Sequence, residues 1–254
     1  MRYRPRLYGC TANCAGEIAL YTRMNSALRH EYLAALGVDT WVLRGAAAAA
    51  EPAMAATNAQ LPKGEGREAG IDWPELRSRV AACTRCALSA TRTQTVFGVG
   101  SQKAEWLIVG EAPGAEEDRQ GEPFVGRAGQ LLNSMLRAVG LARERVYIAN
   151  VLKCRPPGNR DPNPSEAAEC LPYLEQQIEL LKPKIMLAVG RIAAQNLLRT
   201  DKTLGTLRQQ VHRFGISQVP LIVTYHPAYL LRTPMDKRKS WEDLKFAREV
   251  CSRV

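Results

Sequence analysis

The sequence predicts an α/β protein whose functional motifs lie where parallel strands end. From Ile71 onward, short apolar runs alternate with segments of helical periodicity, a pattern typical of a parallel sheet covered by helices on both faces. The first apolar run, 106–109, ends in Gly110-Glu111-Ala112-Pro113-Gly114, which must turn sharply and expose backbone N–H groups. A later run ends at His226. Because ligands bind beyond the carboxyl ends of such strands, we expect the two loops to share one pocket.

Each predicted element has its own signal in the sequence. Apolar runs of strand length occur at 106–109, 146–151, 185–189 and 219–225, and helical patterns occur at 128–139, 165–181 and 191–199. An N-cap at Asp72, followed by Pro74, predicts a helix that runs towards the first cysteine pair. A last helix is predicted from Ser240, where Asp243 resembles the acidic residue of a capping box.

The segment before Ile71 differs in composition from the rest. Residues 17–36 carry apolar side chains at helical spacing, so 1–44 is predicted to be an N-terminal helical extension. Residues 45–70 are rich in Ala, Gly and Pro and are predicted to be a linker. We therefore expect one motif-bearing domain over 71–254, and we assign no chemistry to the segments before it.

The composition excludes a membrane-spanning chain and favours an anionic partner. No apolar run approaches the roughly 20 residues that cross a bilayer, and the basic N-terminus lacks the apolar core of a signal peptide, so a cytoplasmic location is expected. Residues 1–70 hold 8 basic and 6 acidic residues, so +8 of the net charge of +10 lies in 71–254. This excess suits nucleic acid, but a merely basic surface explains it equally well.

Four of the seven cysteines have a spacing suited to a metal centre. Cys83 and Cys86 form a Cys-x-x-Cys pair, while Cys154 and Cys170 lie on either side of a proline-rich loop. In a cytoplasmic protein such a set more often binds metal than forms disulfides. Four thiolates suit tetrahedral zinc or a cubane iron–sulfur cluster, and the spacing leaves both open. The remaining thiols are interpreted as small buried or incidental side chains: Cys10, Cys14 and Cys251.

Four motifs occur in a fixed order through the second part of the chain. They are Gly110-Glu-Ala-Pro-Gly-Ala-Glu-Glu-Asp118, Gly121-Glu-Pro-Phe-Val-Gly-Arg-Ala-Gly-Gln-Leu-Leu132, Asn150-Val-Leu-Lys-Cys-Arg-Pro-Pro-Gly-Asn-Arg160 and His226-Pro-Ala-Tyr-Leu-Leu-Arg232. In this order and spacing, and together with the four cysteines, they resemble the family 4 uracil-DNA glycosylases. These are the iron–sulfur members of the uracil-DNA glycosylase superfamily. The resemblance covers about residues 71–254.

The resemblance implies a fold, a cofactor and an activity. The implied fold is a three-layer α/β/α sandwich with a central four-stranded parallel sheet. The implied cofactor is a [4Fe-4S] cluster, which favours iron over zinc, with these ligands: Cys83, Cys86, Cys154 and Cys170. The implied activity is hydrolysis of the N-glycosidic bond of deoxyuridine in DNA, which releases uracil and leaves an abasic site. We expect a monomer.

Two side chains are expected to hold a base outside the DNA stack. Phe124, in a loop flanked by Gly and Pro, is expected to stack on uracil; without the resemblance, a core aromatic would be the better interpretation. Asn150 ends an apolar strand, and its carboxamide matches O4 and N3–H of uracil but mismatches cytosine. Gly110 and Asn159 are further substrate-binding candidates.

A histidine and two carboxylates are the catalytic candidates. His226 is expected to donate to O2 of the departing uracil anion, which gains charge in the transition state. A carboxylate must orient the attacking water or offset positive charge on the sugar, and we assign this work to Glu111 and Glu117, with Glu117 as the water ligand. Glu116 and Asp118 are interpreted as a solvated helix start.

The residues after His226 are expected to contact DNA. In the family this segment enters the duplex, so Leu230 and Leu231 are candidates for an apolar wedge that offsets unstacking. Arg232 is a candidate phosphate contact, as are the nearby basic residues of 237–239.

Three other functions are compatible with parts of the sequence. One is a zinc-dependent nucleotide-binding protein with a phosphate site at 110–114, although a Walker-type Gly-x-x-x-x-Gly-Lys-Ser/Thr motif is missing. Another is a catalytically silent iron–sulfur or zinc DNA-binding accessory protein. The third is a related glycosylase that traps its product covalently, which the sequence before His226 does not favour.

Overall fold

The computed structural model describes residues 71–254. The predicted extension 1–44, the linker 45–70 and the thiols of Cys10 and Cys14 lie outside the described residues. The strands are β1 (Val99–Gly100), β2 (Trp106–Gly110), β3 (Tyr147–Asn150), β4 (Ile185–Val189), β5 (His212–Phe214) and β6 (Val219–Thr224). The α-helices are α1 (Trp73–Ala81), α2 (Ala115–Gln120), α3 (Arg127–Ala138), α4 (Pro164–Leu181), α5 (Arg191–Leu198), α6 (Leu204–Leu207), α7 (Pro227–Arg232) and α8 (Lys237–Ser252).

The strands form one six-stranded sheet in the order β1-β3-β2-β4-β6-β5. Its central strands β3, β2, β4 and β6 pair in parallel, whereas β1 and β5 pair antiparallel at the two edges. The α/β class is confirmed, but the sheet is mixed and has six strands rather than the expected four. The two edge strands are 2 and 3 residues long, which is too short for a two-residue period to be recognised in the sequence.

Helices cover both faces of the sheet, and the central strands are buried along their whole length. Successive side chains of a strand point to opposite faces. In β2, Leu107 and Val109 pack on the face covered by α4 and α5, while Ile108 packs on the face covered by α3 and α8. Burial on both faces explains why these strands are continuous apolar runs. None of the described helices is long and apolar enough to traverse a bilayer.

The parallel register brings the ends of the central strands to one side of the sheet. Gly110 at the end of β2 pairs with Asn150 at the end of β3, and Val189 of β4 pairs with Thr224 of β6. The chain moves outward from β2 to β3 and then returns to the other side of β2 to form β4. Ligands of α/β proteins bind at such a reversal of strand order. The loops that follow β2, β3 and β6 therefore meet on this side.

Two acidic residues that the sequence places at helix starts, Asp243 in a capping box and Asp118 in a solvated first turn, are buried. The last helix begins at Lys237, not at Ser240, so Asp243 is not part of a capping box. Asp243 is fully buried and accepts two hydrogen bonds from Arg208 at 2.7 and 2.8 Å and one from the Thr224 hydroxyl at 2.8 Å. The position of Asp243 in the sequence does not reveal these partners, because Thr224 belongs to β6 and Arg208 follows α6.

Asp118 is the second buried carboxylate, with 3% of its surface exposed. It accepts hydrogen bonds from the backbone N–H of Thr93 at 3.0 Å and of Gln94 at 3.5 Å. Its carboxylate therefore holds the segment before β1 against α2. The neighbouring Glu116 is exposed, as the sequence predicts.

Removing the buried carboxylate of Asp243 should unfold the domain at much lower denaturant. In Asp243→Ala the guanidinium of Arg208, which is 11% exposed, loses its counter-charge, and breaking a buried pair in this way costs about 3–5 kcal/mol. The control is Glu249→Ala, which removes an exposed ion pair with Arg253 from the same helix and should change stability little. Urea unfolding followed by circular dichroism compares the two variants; equal, small effects would contradict this account.

Candidate active site

A cleft of about 440 Å³ opens where β2, β3 and β6 end, a size that suits a small ligand. It is lined by seven side chains that the sequence predicts as functional: Glu111, Glu117, Phe124, Asn150, Asn159, His226 and Arg232. These residues come from the ends of β2, β3 and β6 and from the segments that follow them. Two cavities elsewhere are larger, at about 580 and 940 Å³, but neither contains any of these seven residues. The predicted site residues therefore converge on this cleft and not on either larger cavity.

The hydrogen bonding of His226 fixes its tautomer. His226 is the N-cap of α7, and its Nδ1 accepts the backbone N–H of Ala228 at 3.1 Å. A ring nitrogen that accepts a hydrogen bond carries no proton, so the proton of the neutral ring is on Nε2. Burial, reinforced by the charge of Arg232, lowers the pKa of His226 to about 4. At neutral pH the ring is a neutral donor whose Nε2–H is available to the cleft.

Phe124 forms one wall of the cleft and has a backbone conformation that is rare for its type. Its φ of 55° lies in the left-handed region, which costs free energy for a bulky side chain. Its ring lies 5.6 Å from that of His226, centroid to centroid. The ring also packs on Gly110, where an added Cβ would lie 2.7 Å from ring carbons. Glycine is therefore required at the end of β2 for the ring to reach this position.

Asn150 lies at the bottom of the cleft with 2% of its surface exposed. Within the described structure its Oδ1 is buried and has no hydrogen-bond partner. A buried acceptor without a donor costs free energy, so this atom is an expected position for a ligand N–H. The backbone carbonyl of Asn150 accepts a hydrogen bond from the buried ammonium of Lys153 at 2.9 Å. The same ammonium donates to Oε1 of Gln177 at 2.7 Å.

The two candidate carboxylates differ in their surroundings. Glu117 uses Oε1 to accept the backbone N–H groups of Val125 at 3.1 Å and Gly126 at 3.4 Å, which leaves Oε2 beside Gly114. Burial raises the pKa of Glu111 to about 7, and the negative charge of Asp161 adds to the effect. Glu111 is therefore poised to exchange a proton near neutral pH, while Glu117 is anchored by one oxygen.

The loop after Cys154 supplies polar groups that sequence reasoning found only in part. Asn159 lines the cleft and accepts a hydrogen bond from Arg155 at 2.8 Å. Asp161 also lines the cleft and forms an ion pair with Arg191 at 3.3 Å. No motif or spacing selects Asp161, because its effect on the pKa of Glu111 depends on two distant loops lying close together.

The candidate wedge residues separate into one buried and one accessible leucine. Leu230 is 1% exposed and packs in the core on the α3 and α8 face of the sheet, so its assignment as a DNA wedge is wrong for this conformation. The turn of α7 that directs Leu230 inward leaves Leu231 half-buried and Arg232 exposed. Neighbouring positions of a helix differ in direction by about 100°, which the pair Leu-Leu does not reveal in the sequence.

The four cysteines predicted as metal ligands line one narrow cavity of about 10 Å³, beside Arg92 and Lys153. Cys154 and Cys170 are buried, and Cys83 and Cys86 are half-buried. Burial raises the pKa of Cys170 to about 11 and also raises that of Cys154. Two donors stabilise sulfur charge here: Arg92 Nη1 is 3.1 Å from the sulfur of Cys154, and the backbone N–H of Lys153 is 3.2 Å from that of Cys170.

This donor set fits a group that takes four thiolates and is surrounded by protein. Among residues 71–254, no three His, Cys, Asp or Glu side chains are grouped as ligands of a single metal ion. The fifth described cysteine, Cys251, lies apart on α8, half-buried against the core.

Comparison with known proteins agrees with this geometry. A family model described as the uracil DNA glycosylase superfamily matches residues 97–245. The type-4 uracil-DNA glycosylase of Archaeoglobus fulgidus is 45% identical over 181 residues, which cover 68% of this chain and 90% of the relative. This chain belongs to the type-4 uracil-DNA glycosylases. The type-4 enzyme of Pyrobaculum aerophilum is 44% identical over 180 residues, which cover 68% of this chain and 92% of that protein.

The chain matches the two type-4 enzymes over more of their length than it matches a type-5 enzyme. The type-5 uracil-DNA glycosylase of Thermus thermophilus is 35% identical over 118 residues, which cover 41% of this chain and 53% of that protein. The match to the superfamily model begins after Cys83 and Cys86 and ends before Cys251. It contains every cleft residue predicted from the sequence.

Replacing Glu111 by Gln should stabilise the domain, and the gain should depend on pH. The native pKa of about 7 lies above the ordinary value of 4.5, so the folded state holds this proton more tightly than the unfolded state. The resulting cost of ionisation is absent below pH 4.5 and complete above pH 7. With allowance for partial solvation, we expect a gain of about 1–2 kcal/mol at pH 8 and less at pH 5. Urea unfolding at both pH values measures it; a gain equal at both would contradict desolvation as the cause.

Proposed function

We propose that residues 71–254 form a uracil-DNA glycosylase domain that takes deoxyuridine out of DNA and hydrolyses its N-glycosidic bond. The products are free uracil and an abasic site, which is the first step of a base-excision repair. One observation carries the assignment of the cleft: the buried Oδ1 of Asn150 has no hydrogen-bond partner among residues 71–254 and lies beside the ring of Phe124. A flat base with an N–H on its edge supplies both the missing donor and a face for stacking.

Base selection follows from the amide of Asn150. Oδ1 accepts N3–H of uracil and the amide N–H₂ donates to O4. Cytosine presents an unprotonated nitrogen and an amine at the same positions, so both hydrogen bonds are lost and two buried polar groups of the site remain unpaired. Phe124 stacks on the ring, and the absence of a side chain at Gly110 gives the base its room.

The leaving group is stabilised by His226. As the glycosidic bond breaks, the electron pair moves to uracil and negative charge develops at O2. A neutral imidazole with its proton on Nε2 donates a hydrogen bond to that oxygen. Because this donor is already fixed by the bond from Ala228, little reorganisation is needed when the charge appears.

The water is oriented by carboxylates on the opposite loop. Glu117 is fixed through Oε1 and directs Oε2 at the water, while ionised Glu111 offsets the positive charge that develops on the sugar. The water adds to the sugar carbon, and its proton passes to a carboxylate. Asn159 and Asp161 complete the polar wall of the cleft.

The four cysteines are proposed to hold a [4Fe-4S] cluster. The cluster supplies structural cross-linking and no electron transfer, because glycosidic hydrolysis involves no change of oxidation state. Support comes from the shared cavity of Cys83, Cys86, Cys154 and Cys170. Fixing Cys154 and Cys170 closes the loop that carries Asn159 and limits its conformational entropy.

The DNA backbone is proposed to lie along the exposed residues after His226. Leu231 is the remaining candidate for the wedge, and Arg232 contacts phosphate, so affinity falls as salt rises. The domain is proposed to act as a monomer with a three-layer α/β/α arrangement, and 1–44 and 45–70 as an extension and a linker outside it.

An oligonucleotide assay on the purified chain tests this function. The substrate is a labelled oligonucleotide with one deoxyuridine, and the control replaces it by deoxycytidine. We expect uracil release without added metal, together with about four iron and four sulfide per chain and absorbance near 400 nm. Binding of the oligonucleotide without release of uracil would favour the catalytically silent accessory protein. Zinc in place of iron would overturn the assignment of a [4Fe-4S] cluster.

Asn150→Asp should weaken the discrimination between uracil and cytosine. A carboxyl group that carries a proton can donate to the ring nitrogen of cytosine, a contact that the amide does not offer in the same pose. We expect uracil excision to fall by about 10²-fold or more, as for loss of a buried base contact, while cytosine excision becomes measurable. The assay is single-turnover excision from matched oligonucleotides; unchanged selectivity would show that Asn150 does not read the base.

His226→Ala should slow excision far more than it weakens DNA binding. Losing one donor to a developing anion typically costs about 10²–10³-fold in rate. His226→Gln keeps an N–H₂ group and should retain part of the rate. Rates come from single-turnover excision and affinities from fluorescence anisotropy. Equal losses of rate and affinity in His226→Ala would indicate a binding or folding role instead.

A further inference from the structure

We propose that Arg143 is a positioning residue that holds Phe124 ready to stack on the extruded base. The inference rests on the proposed function, because it takes Phe124 as the stacking surface. Arg143 does not line the cleft. It begins the 3₁₀ turn Arg143–Arg145 before β3, and its side chain crosses to the loop between α2 and α3.

The guanidinium of Arg143 contacts two consecutive backbone carbonyls of that loop. Nη2 donates to the carbonyl of Pro123 at 2.6 Å, and Nη1 donates to that of Phe124 at 3.3 Å. Nη1 also donates to Oδ1 of Asn133 on α3 at 3.1 Å. A planar guanidinium can serve these three acceptors at once because its donors have a fixed geometry.

The next two residues of the loop, Val125 and Gly126, are bonded to a side chain whose charge is opposite to that of Arg143. Glu117 accepts the N–H groups of Val125 and Gly126. Four successive residues, 123–126, therefore have a backbone group bonded to a charged side chain. Loops of this kind are ordinarily mobile because their backbone groups bond to water. Here the two side chains specify one conformation of the loop.

That conformation needs an external constraint because it is unfavourable by itself. Phe124 has a φ of 55°, and such strain persists only where the surroundings enforce it. Its carbonyl also lies against α3, where a Cβ on Gly129 would approach the carbonyl oxygen to 1.7 Å. Arg143 is the side chain that binds this same oxygen, so it stabilises the strained state directly.

The guanidinium of Arg143 donates its hydrogen bonds to neutral acceptors of the loop and of α3. It is half-buried, and its bonded acceptors are two carbonyls and an amide rather than a carboxylate. Desolvation of this kind is costly for a cation. Burial lowers the pKa of Arg143, and the nearby carboxylates of Glu122 and Glu144 offset part of this effect.

A double-mutant cycle with Phe124→Ala tests the inference. Arg143→Ala should reduce single-turnover uracil excision by about 10–100-fold, as for a misplaced active-site group, with unchanged affinity for uracil-free duplex and unchanged iron content. In the Phe124→Ala background the same change should cost less than about threefold, because the group that it positions is already gone. Arg143→Lys should recover only part of the rate, since an ammonium is a point donor.

The matched control is Arg145→Ala. Arg145 is exposed and belongs to the same 3₁₀ turn, so its removal should leave the excision rate unchanged. If Arg143→Ala fails to fold, Asn133→Ala replaces it: this variant removes only the amide that orients the guanidinium, and it should show a smaller loss that also disappears in the Phe124→Ala background.

Hydrogen exchange separates this inference from the proposed function. Arg143→Ala should speed exchange of the Val125 and Gly126 amides in the intact iron-containing protein, and Arg145→Ala should not. A wild-type chain that releases no uracil overturns the function but leaves this exchange prediction intact. A loss of rate that is equal in both backgrounds, or unchanged exchange at the two amides, would overturn the role of Arg143.

Discussion

The site depends on one close approach between two parallel strands. Gly110 and Asn150 are register partners at the ends of β2 and β3, and a Cβ on Gly110 would lie 2.3 Å from Oδ1 of Asn150. The same missing side chain admits the ring of Phe124. The base-reading amide and the stacking ring can therefore lie together only because the strand ends in glycine. The loops from β2, β3 and β6 complete the cleft around this contact.

Two of the groups that face the cleft, Asn150 and Phe124, have a backbone carbonyl that is held by a charged residue. Lys153 holds the carbonyl of Asn150, and Arg143 holds that of Phe124. Below His226, Asp243 bonds the hydroxyl of Thr224 at the end of β6 and is itself paired with Arg208. A buried charge is stable only with its partners in place, so these contacts fix the positions of the cleft residues more firmly than apolar packing alone.

Burial in the cleft shifts the pKa values of Glu111 and His226 in opposite directions. Burial raises the pKa of Glu111 to about 7 and lowers that of His226 to about 4. In both cases desolvation disfavours the charged form, so the histidine is a neutral donor while the carboxyl titrates near neutral pH. This shared desolvation lets one site provide a neutral hydrogen-bond donor and a carboxyl group that ionises near neutral pH.

The sequence by itself determined the α/β class, the order of the main elements and seven of the residues that line the cleft. Strand-end motifs are local, so Gly110 and His226 could be selected without coordinates, whereas Phe124 was selected through the family resemblance. The tertiary structure decided what depends on contacts between distant segments. These are the two edge strands, the burial of Asp118, Asp243 and Leu230, and the supporting roles of Lys153 and Arg143. A single sequence does not record which partner a polar side chain meets, and burial and charge act through those partners.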